Sequence, residues 1–208
     1  MKLVDLTLTE FAQVLGSDKP APGGGSAAAL SAVNGISLTK MVCKLTIGKK
    51  KYEKHQDLMK ELHQEASRLQ KSLLDAVDKD TEAFNLVSAV FALPKETDDN
   101  KLKRRDAMQK ALKEATKSPF AMMQEIFEAL EITKKAVGNS NRNAASDLGV
   151  AALALKAALQ GAWLNVLINI AGIKDEAFVR EYRHNGQELL ERGCQLADAI
   201  YSDVLKSL

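Results

Sequence analysis

Asp80 is a carboxylate standing where the surrounding pattern calls for a buried apolar side chain. Leu62, Leu69, Leu73, Val77, Phe84, Val87 and Phe91 recur at helical spacing and mark one face of a long helix. Asp80 lies on that face, between Val77 and Phe84, whereas Asp75, Asp78 and Glu82 point elsewhere and read as solvated charges. A lone carboxylate in a helix seam costs several kcal/mol of desolvation unless it is paired, protonated or facing a wet pocket. Buried acids of raised pKa are also what proton-transfer chemistry uses. A hydrogen bond to a neighbouring helix would satisfy the same pattern, so the spacing leaves a structural and a catalytic role equally open.

Other groups able to do chemistry are few. Gly23, Gly24, Gly25 and Ser26 open a helix, and amide N–H groups at such an entry can converge on an anion or a carbonyl oxygen. No Gly-Lys-Ser/Thr follows and no strand precedes, which excludes a Walker loop and a dinucleotide fingerprint. A tight connection would use the same residues. Asn143 with Asp147, and Asn165 with Asn169, form two i,i+4 pairs at opposite ends of one helical face. They read either as satisfied buried groups or as polar contacts to a ligand. Lys49, Lys50 and Lys51 favour a helix C-terminal dipole and are equally able to hold a polyanionic tail. His55, His63 and His184 lack the i,i+4 spacing of metal ligands, and Cys43 and Cys194 lie far apart. Neither a metal site nor a disulfide framework is expected.

These residues must be positioned by helices. The 208 residues suit one well-packed domain, 1–208, and the 46% hydrophobic and 27% charged content are those of a soluble globular chain. A net charge of +2 argues against a nucleic-acid or membrane-surface binder. No cleavable signal opens the chain, so the cytoplasm is the expected location. Thr7 and Glu10 form a capping-box pair, with Leu6 and Phe11 as its staple, and start a first helix near Leu8. A small-residue helix over Ala27–Thr46 follows the breaker cluster Pro20–Ser26 and ends at Gly48. The Asp80 helix runs from about Tyr52 to Leu93. The next starts at Thr97 or Asp98, breaks or bends at Ser118-Pro119, and ends at Gly138. A fifth spans Asn143–Ala171, and the last runs from Asp175 almost to the C-terminus. No stretch alternates as a half-buried strand does. The expected fold is all-α, a single-domain bundle of about six mostly long helices.

The fifth helix carries only Asp147 and Lys156 as charges and is apolar nearly all round, as a central helix is. Lys156, Gln160, Asn165 and Asn169 argue against a membrane span. Ala151, Ala154, Ala158 and Gly161 share a face that admits another backbone closely, and the remaining apolar surface suits burial against a second subunit. Trp163 reads as a packing residue.

Several segments together form a further pattern: Pro20-Ala21-Pro22-Gly23-Gly24-Gly25-Ser26, Gly48-Lys49-Lys50-Lys51-Tyr52, Asp78-Lys79-Asp80-Thr81-Glu82-Ala83-Phe84, Asn141 through Ala152, Gly161 through Asn169, and Asp175-Glu176-Ala177-Phe178. In this order they resemble the cyclodeaminase domain of the formiminotransferase-cyclodeaminase family and the stand-alone bacterial methenyltetrahydrofolate cyclohydrolases. The resemblance covers essentially the whole chain. It implies an all-helical homodimer, built through its helices, that needs no metal or prosthetic group and acts on one-carbon tetrahydrofolates, polyglutamylated or not. It also implies that Asp80 is the acid/base residue, the position that the stripe singles out independently. The expected reaction is cyclisation of 5-formiminotetrahydrofolate to 5,10-methenyltetrahydrofolate with loss of ammonia, as in histidine degradation. Alternatives are hydrolysis of 5,10-methenyltetrahydrofolate to 10-formyltetrahydrofolate, or a non-catalytic folate-binding helical dimer. Under the resemblance, Asp147 pairs with the pterin, Asn143, Asn165 and Asn169 supply further polar contacts, Gly23–Ser26 offer backbone amides, and Lys49, Lys50 and Lys51 bind the glutamate tail.

Overall fold

The computed structural model describes residues 2–208. Its six α-helices are α1 (Leu8–Leu15), α2 (Gly24–Thr46), α3 (Gln56–Phe91), α4 (Asp98–Ala136), α5 (Ala145–Ile170) and α6 (Glu176–Ser207). Short 3-10 turns precede α1, α3 and α5, and no strand occurs among the described residues. The chain is therefore all-helical, as expected. Successive long helices run antiparallel. Ser26 at the start of α2 meets Asp80 late in α3, Ser72 of α3 meets Glu125 of α4, and Asn169 at the end of α5 meets Ala115 of α4.

Local signals account for most boundaries. The Thr7 side chain accepts from the Glu10 amide while the Glu10 carboxylate accepts from the Thr7 amide at 2.8 Å, a complete capping box. Thr97 caps α4 and Asp175 caps α6. Helices α2 and α4 both end two residues before a glycine of positive φ, Gly48 (81°) and Gly138 (77°), where only glycine enters the left-handed region without strain.

Several boundaries differ from expectation. α2 begins at Gly24, not Ala27, so the glycines form its first turn. α3 begins at Gln56 because Tyr52 has non-helical dihedrals (φ −116°, ψ 27°) inside a 3-10 segment, and its hydroxyl accepts from the Arg142 amide at 3.0 Å. α4 runs unbroken through Pro119. Proline cannot donate to the carbonyl four residues back, here Ala115, and that carbonyl is satisfied instead by Asn169 Nδ2 at 2.9 Å. A tertiary hydrogen bond thus compensates the breaker.

α5 is the central element and packs against α2, α4 and α6. By length and composition alone it would cross a membrane, with mean hydropathy 1.5 over its best window, and it is the only such helix among the described residues. Its small-residue face receives α2. Ala28 sits over Gly161, Ser31 Oγ donates to the Ala154 carbonyl at 3.0 Å, and a Cβ on Gly35 would stand 2.6 Å from Leu155 Cγ. Trp163 is buried over Gly186, where any side chain would meet its ring.

The helices differ in length. α3 and α4, at 36 and 39 residues, exceed α2 and α5, at 23 and 26. At 1.5 Å per residue, the α3–α4 hairpin overhangs the bundle by roughly 20 Å. The apolar stripe of α3 is accordingly buried through Val77 and then opens, leaving Phe84 at 41% and Phe91 at 64% exposure. Both were expected inside; Phe84 instead lines a cavity facing α4 and α5, and Phe91 lies under the Arg104 guanidinium, 5.9 Å from its ring centroid. Asp78 also departs from expectation: it accepts from the Leu3 amide at 2.6 Å, and its other oxygen is buried without a partner.

Candidate active site

Asp80 stands where the cover of α2 begins. The Ser26 amide, in the first turn of α2, donates to Asp80 Oδ2 at 2.9 Å. Ser26 Oγ lies 2.8 Å from the Val77 carbonyl and 3.2 Å from the same carboxylate oxygen, and Thr81 Oγ1 lies 3.4 Å from Ser26 Oγ. The carboxylate therefore occupies the electropositive end of α2, beside amides of Gly24 and Gly25 that have no intrahelical acceptor. An ideal Cβ on Gly25 would stand 1.9 Å from Asp80 Oδ1, so glycine here makes room for the acid. Burial raises the Asp80 pKa above the ordinary carboxylate value, and the hydrogen bonds from the Ser26 side chain and backbone oppose this to a lesser degree.

One side of Asp80 opens into a cavity of about 350 Å³. Gly23, Gly24, Gly25 and Asp80 form one wall with Thr81, and Asn165 and Asn169 form part of the other. Apolar side chains supply the rest, Pro20, Phe84, Val87, Leu112 and Ile168 among them. Among the described residues, Asp80 is the only ionisable group in this lining. Asn165 Nδ2 donates to the Gly161 carbonyl at 2.8 Å and Asn169 Nδ2 to Ala115, which leaves both Oδ1 atoms as acceptors for a donor in the cavity. Each of these asparagines is at once a satisfied structural group and a cavity wall.

The remaining sequence-derived site residues lie elsewhere. α5 begins at Ala145, not at Asn143 as expected; Asn143 lies in the 3-10 turn Arg142–Ala144 before it and Asp147 in its first turn, whereas Asn165 and Asn169 end it, and the 18 residues from Asp147 to Asn165 span about 27 Å. Lys49, Lys50 and Lys51 follow the far end of α2 and share the Asn143 pole, where the Asn141 amide donates to Thr46 Oγ1 at 2.9 Å. Within one chain, neither Asn143, Asp147 nor the three lysines reach the Asp80 cavity. An i,i+4 pattern reports a shared helical face but not how far apart along it two pairs sit.

A basic cluster on α4 was not singled out by sequence. Lys95, Lys101, Arg104 and Arg105 line a second cavity of about 320 Å³ with Met108 and Gln109, one helical turn along α4 from Leu112. Lys101 pairs with Asp98 at 2.9 Å, but among the described residues Lys95, Arg104 and Arg105 have no ion pair. No three His, Cys, Asp or Glu side chains converge among the described residues as metal ligands would. Cys43 is buried and its thiol is pushed up to about 11 by that burial, unsuited to nucleophilic work.

The profile of the formiminotransferase-cyclodeaminase family matches residues 7–188, which include every wall of the Asp80 cavity. The chain belongs to this family. As a family member it is 38% identical over 198 residues to the methenyltetrahydrofolate cyclohydrolase of Methylorubrum extorquens, covering 95% of each chain. It is 32% identical over 189 residues to the formimidoyltransferase-cyclodeaminase of Rattus norvegicus, covering 91% of this chain and 35% of that one. The chain thus spans about a third of the bifunctional relative. The crystal structure of formiminotetrahydrofolate cyclodeaminase from Thermotoga maritima superimposes with a TM-score of 0.81 at 31% identity, over 98% of this chain and 96% of the other. These relatives are named as enzymes of folate one-carbon chemistry, and this chain is an enzyme of the same cyclodeaminase and cyclohydrolase family.

Proposed function

We propose that this protein cyclises 5-formiminotetrahydrofolate to 5,10-methenyltetrahydrofolate, releasing ammonia, with Asp80 as the acid/base group. The observation that carries this reading is the cavity itself, which among the described residues holds a single ionisable side chain in a mostly apolar lining. Cyclisation supplies its own nucleophile. Nitrogen 10 attacks the carbon of the protonated formimino group of the same molecule, whose nitrogen thereby becomes a neutral amino group, so no water has to be positioned, and holding the two in contact recovers much of the barrier. The ionised Asp80 takes the proton from nitrogen 10 as the new N–C bond forms. The same carboxyl returns a proton to the amino group of the tetrahedral intermediate, the C–N bond breaks, and ammonia leaves a cationic methenyl bridge. One residue serves both transfers only if its pKa lies between those of a free acid and the leaving amine, and burial moves Asp80 that way. The re-ionised carboxylate then faces the methenyl cation, which it stabilises electrostatically. The Asn165 and Asn169 Oδ1 atoms and the first-turn amides of α2 are the polar groups available to orient the substrate.

The Methylorubrum relative favours a second reading, hydrolysis of 5,10-methenyltetrahydrofolate to 10-formyltetrahydrofolate. The cationic methenyl species is common to both reactions, and the same carboxylate would then deprotonate a water. The deciding experiment mixes the protein with 5-formiminotetrahydrofolate and follows the near-ultraviolet methenyl band together with ammonia. Growth of the band with stoichiometric ammonia supports cyclodeamination. A static band, coupled with enzyme-dependent loss of the same band from added methenyltetrahydrofolate, overturns it in favour of the hydrolase. Activity on neither folate removes both readings.

A further inference from the structure

Ser26 is fully buried and turns both its amide and its hydroxyl toward Asp80, so the amide expected to meet a ligand is taken up by the acid. Its Oγ carries one proton and two lone pairs. Three oxygens stand around it: the Val77 carbonyl at 2.8 Å, Asp80 Oδ2 at 3.2 Å and Thr81 Oγ1 at 3.4 Å. One proton cannot serve them all, and the charge of Asp80 decides which it serves. Beside an ionised carboxylate, Ser26 donates to Oδ2, and the Val77 carbonyl keeps the helical amide four residues on. Once Asp80 holds a proton on Oδ2, that oxygen donates to Ser26 Oγ, and the serine turns its own proton to Val77. Both arrangements satisfy these groups without moving a heavy atom. A carboxyl that first takes and then returns a proton is best held by such a partner, because a donor that cannot also accept suits only the ionised form.

Thr81 registers the consequence. Of the threonines that lie beyond the first turn of a helix, Thr39, Thr46, Thr116 and Thr133 each donate to the carbonyl four residues back. For Thr81 that carbonyl is Val77, which Ser26 has engaged, and Thr81 makes no such bond. Its hydroxyl keeps only the long contact to Ser26 and lines the Asp80 cavity. Asp80 and Thr81 flank the same serine oxygen, so a substrate group that reaches the acid also comes beside a hydroxyl able to donate or accept.

We propose that Ser26 positions Asp80 in both of its protonation states and, by taking the Val77 carbonyl, frees the Thr81 hydroxyl to hydrogen-bond the folate beside the acid. This rests on the folate reading above. Charged side chains on the surrounding elements lie outside the cavity lining: Asp18 and Lys19 before α2, Asp78, Lys79 and Glu82 on α3, Lys113 and Glu114 on α4, and Lys156 on α5. The titration of Asp80 is governed by burial, which raises its pKa, and by the two Ser26 hydrogen bonds, which lower it.

The first test needs no activity. Isotopically labelled aspartate carboxyls are titrated by NMR in the free protein, the Asp80 signal being the one missing from Asp80→Asn. Ser26→Ala is expected to move the Asp80 midpoint to higher pH, since the charge-assisted bond to the ionised form is the stronger of the two that are lost. The acid limb of the kcat/KM profile should move the same way. On the plateau above that limb, kcat should stay about tenfold low, because the protonated acid has lost its acceptor. An unmoved midpoint makes Ser26 a packing residue, and a plateau that recovers fully makes it a partner of the charged form alone. Either overturns the proposal. Ser26→Cys, similar in shape with a weak donor, takes the place of the alanine variant if that does not fold. In the second test, Thr81→Val should lower kcat/KM by about tenfold or more, and Thr81→Ser should restore it. Full activity with valine, or serine no better than valine, removes the Thr81 hydroxyl from the site and overturns the proposal. A wild type inert on both folates whose Asp80 midpoint still moves in Ser26→Ala would place the failure in the folate reading and leave the Ser26–Asp80 pairing standing.

Discussion

The tightest geometric statement in this protein concerns Gly25, and it predicts a large loss of activity from adding one methyl group. In Gly25→Ala, the new Cβ would stand 1.9 Å from Asp80 Oδ1, 2.3 Å from Cγ and 2.6 Å from Oδ2, against an ordinary contact of 3.4–4 Å. The carboxyl must therefore retreat by about 1.5 Å, because the other member of the clash is helix backbone. Misplacing a catalytic group by about 1 Å costs on the order of a hundredfold. The expected fall in kcat/KM is then at least about a hundredfold, some 2.7 kcal/mol of transition-state stabilisation. Folding should survive. Alanine is favoured over glycine within a helix by about 1 kcal/mol, which offsets much of the strain and of the weakened Ser26–Asp80 hydrogen bond. The assay is the methenyl band under single-turnover conditions, with thermal unfolding measured on the same preparation. Gly24→Ala is the companion variant, since its Cβ meets nothing closer than Asn165 Nδ2 at 3.8 Å, and it should lose far less. A folded Gly25→Ala protein within a few-fold of wild-type rate would refute the reasoning, because the chemistry would then not depend on where Asp80 sits.

Three further outcomes are expected. Asp80→Asn should abolish turnover by about 10²–10⁴-fold while raising the melting temperature at neutral pH. Burial raises the folded carboxyl above its unfolded pKa, so the folded state holds the proton longer and stability falls as pH climbs from the unfolded value to the folded one. The amide removes that cost, and its advantage should therefore vanish in melts run below about pH 4. Asn169→Ala should destabilise by about 1–3 kcal/mol in urea titrations, because Pro119 has left the Ala115 carbonyl with no helical donor; loss of under a few tenths would mean that water replaces the amide freely. Arg104→Ala with Arg105→Ala should raise KM for polyglutamyl more than for monoglutamyl substrate with kcat unchanged, as the cavity one turn along α4 suits the tail; an equal KM shift for both substrates would send the tail elsewhere.

The sequence by itself determined that the chain is helical and singled out Asp80 as a carboxylate in an apolar seam. Capping pairs such as Thr7 with Glu10, the breakers at Pro20–Pro22, and the terminating Gly48 and Gly138 are local signals, each satisfied within a few residues. Asp80 was legible because a charge on an apolar stripe breaks a periodic pattern, and the pattern needs no partner to be seen. Three things were decided only in the tertiary structure. The stripe ends at Val77 as a buried face because α2 is shorter than α3, and relative helix length in space is not a property of either helix alone. Helix α4 continues through Pro119, where Asn169, 50 residues away in sequence, donates to the carbonyl that proline leaves without a helical partner. The polar pairs of α5 share a face but sit about 27 Å apart on a rigid rod, so periodicity grouped residues that no single chain can bring to one ligand.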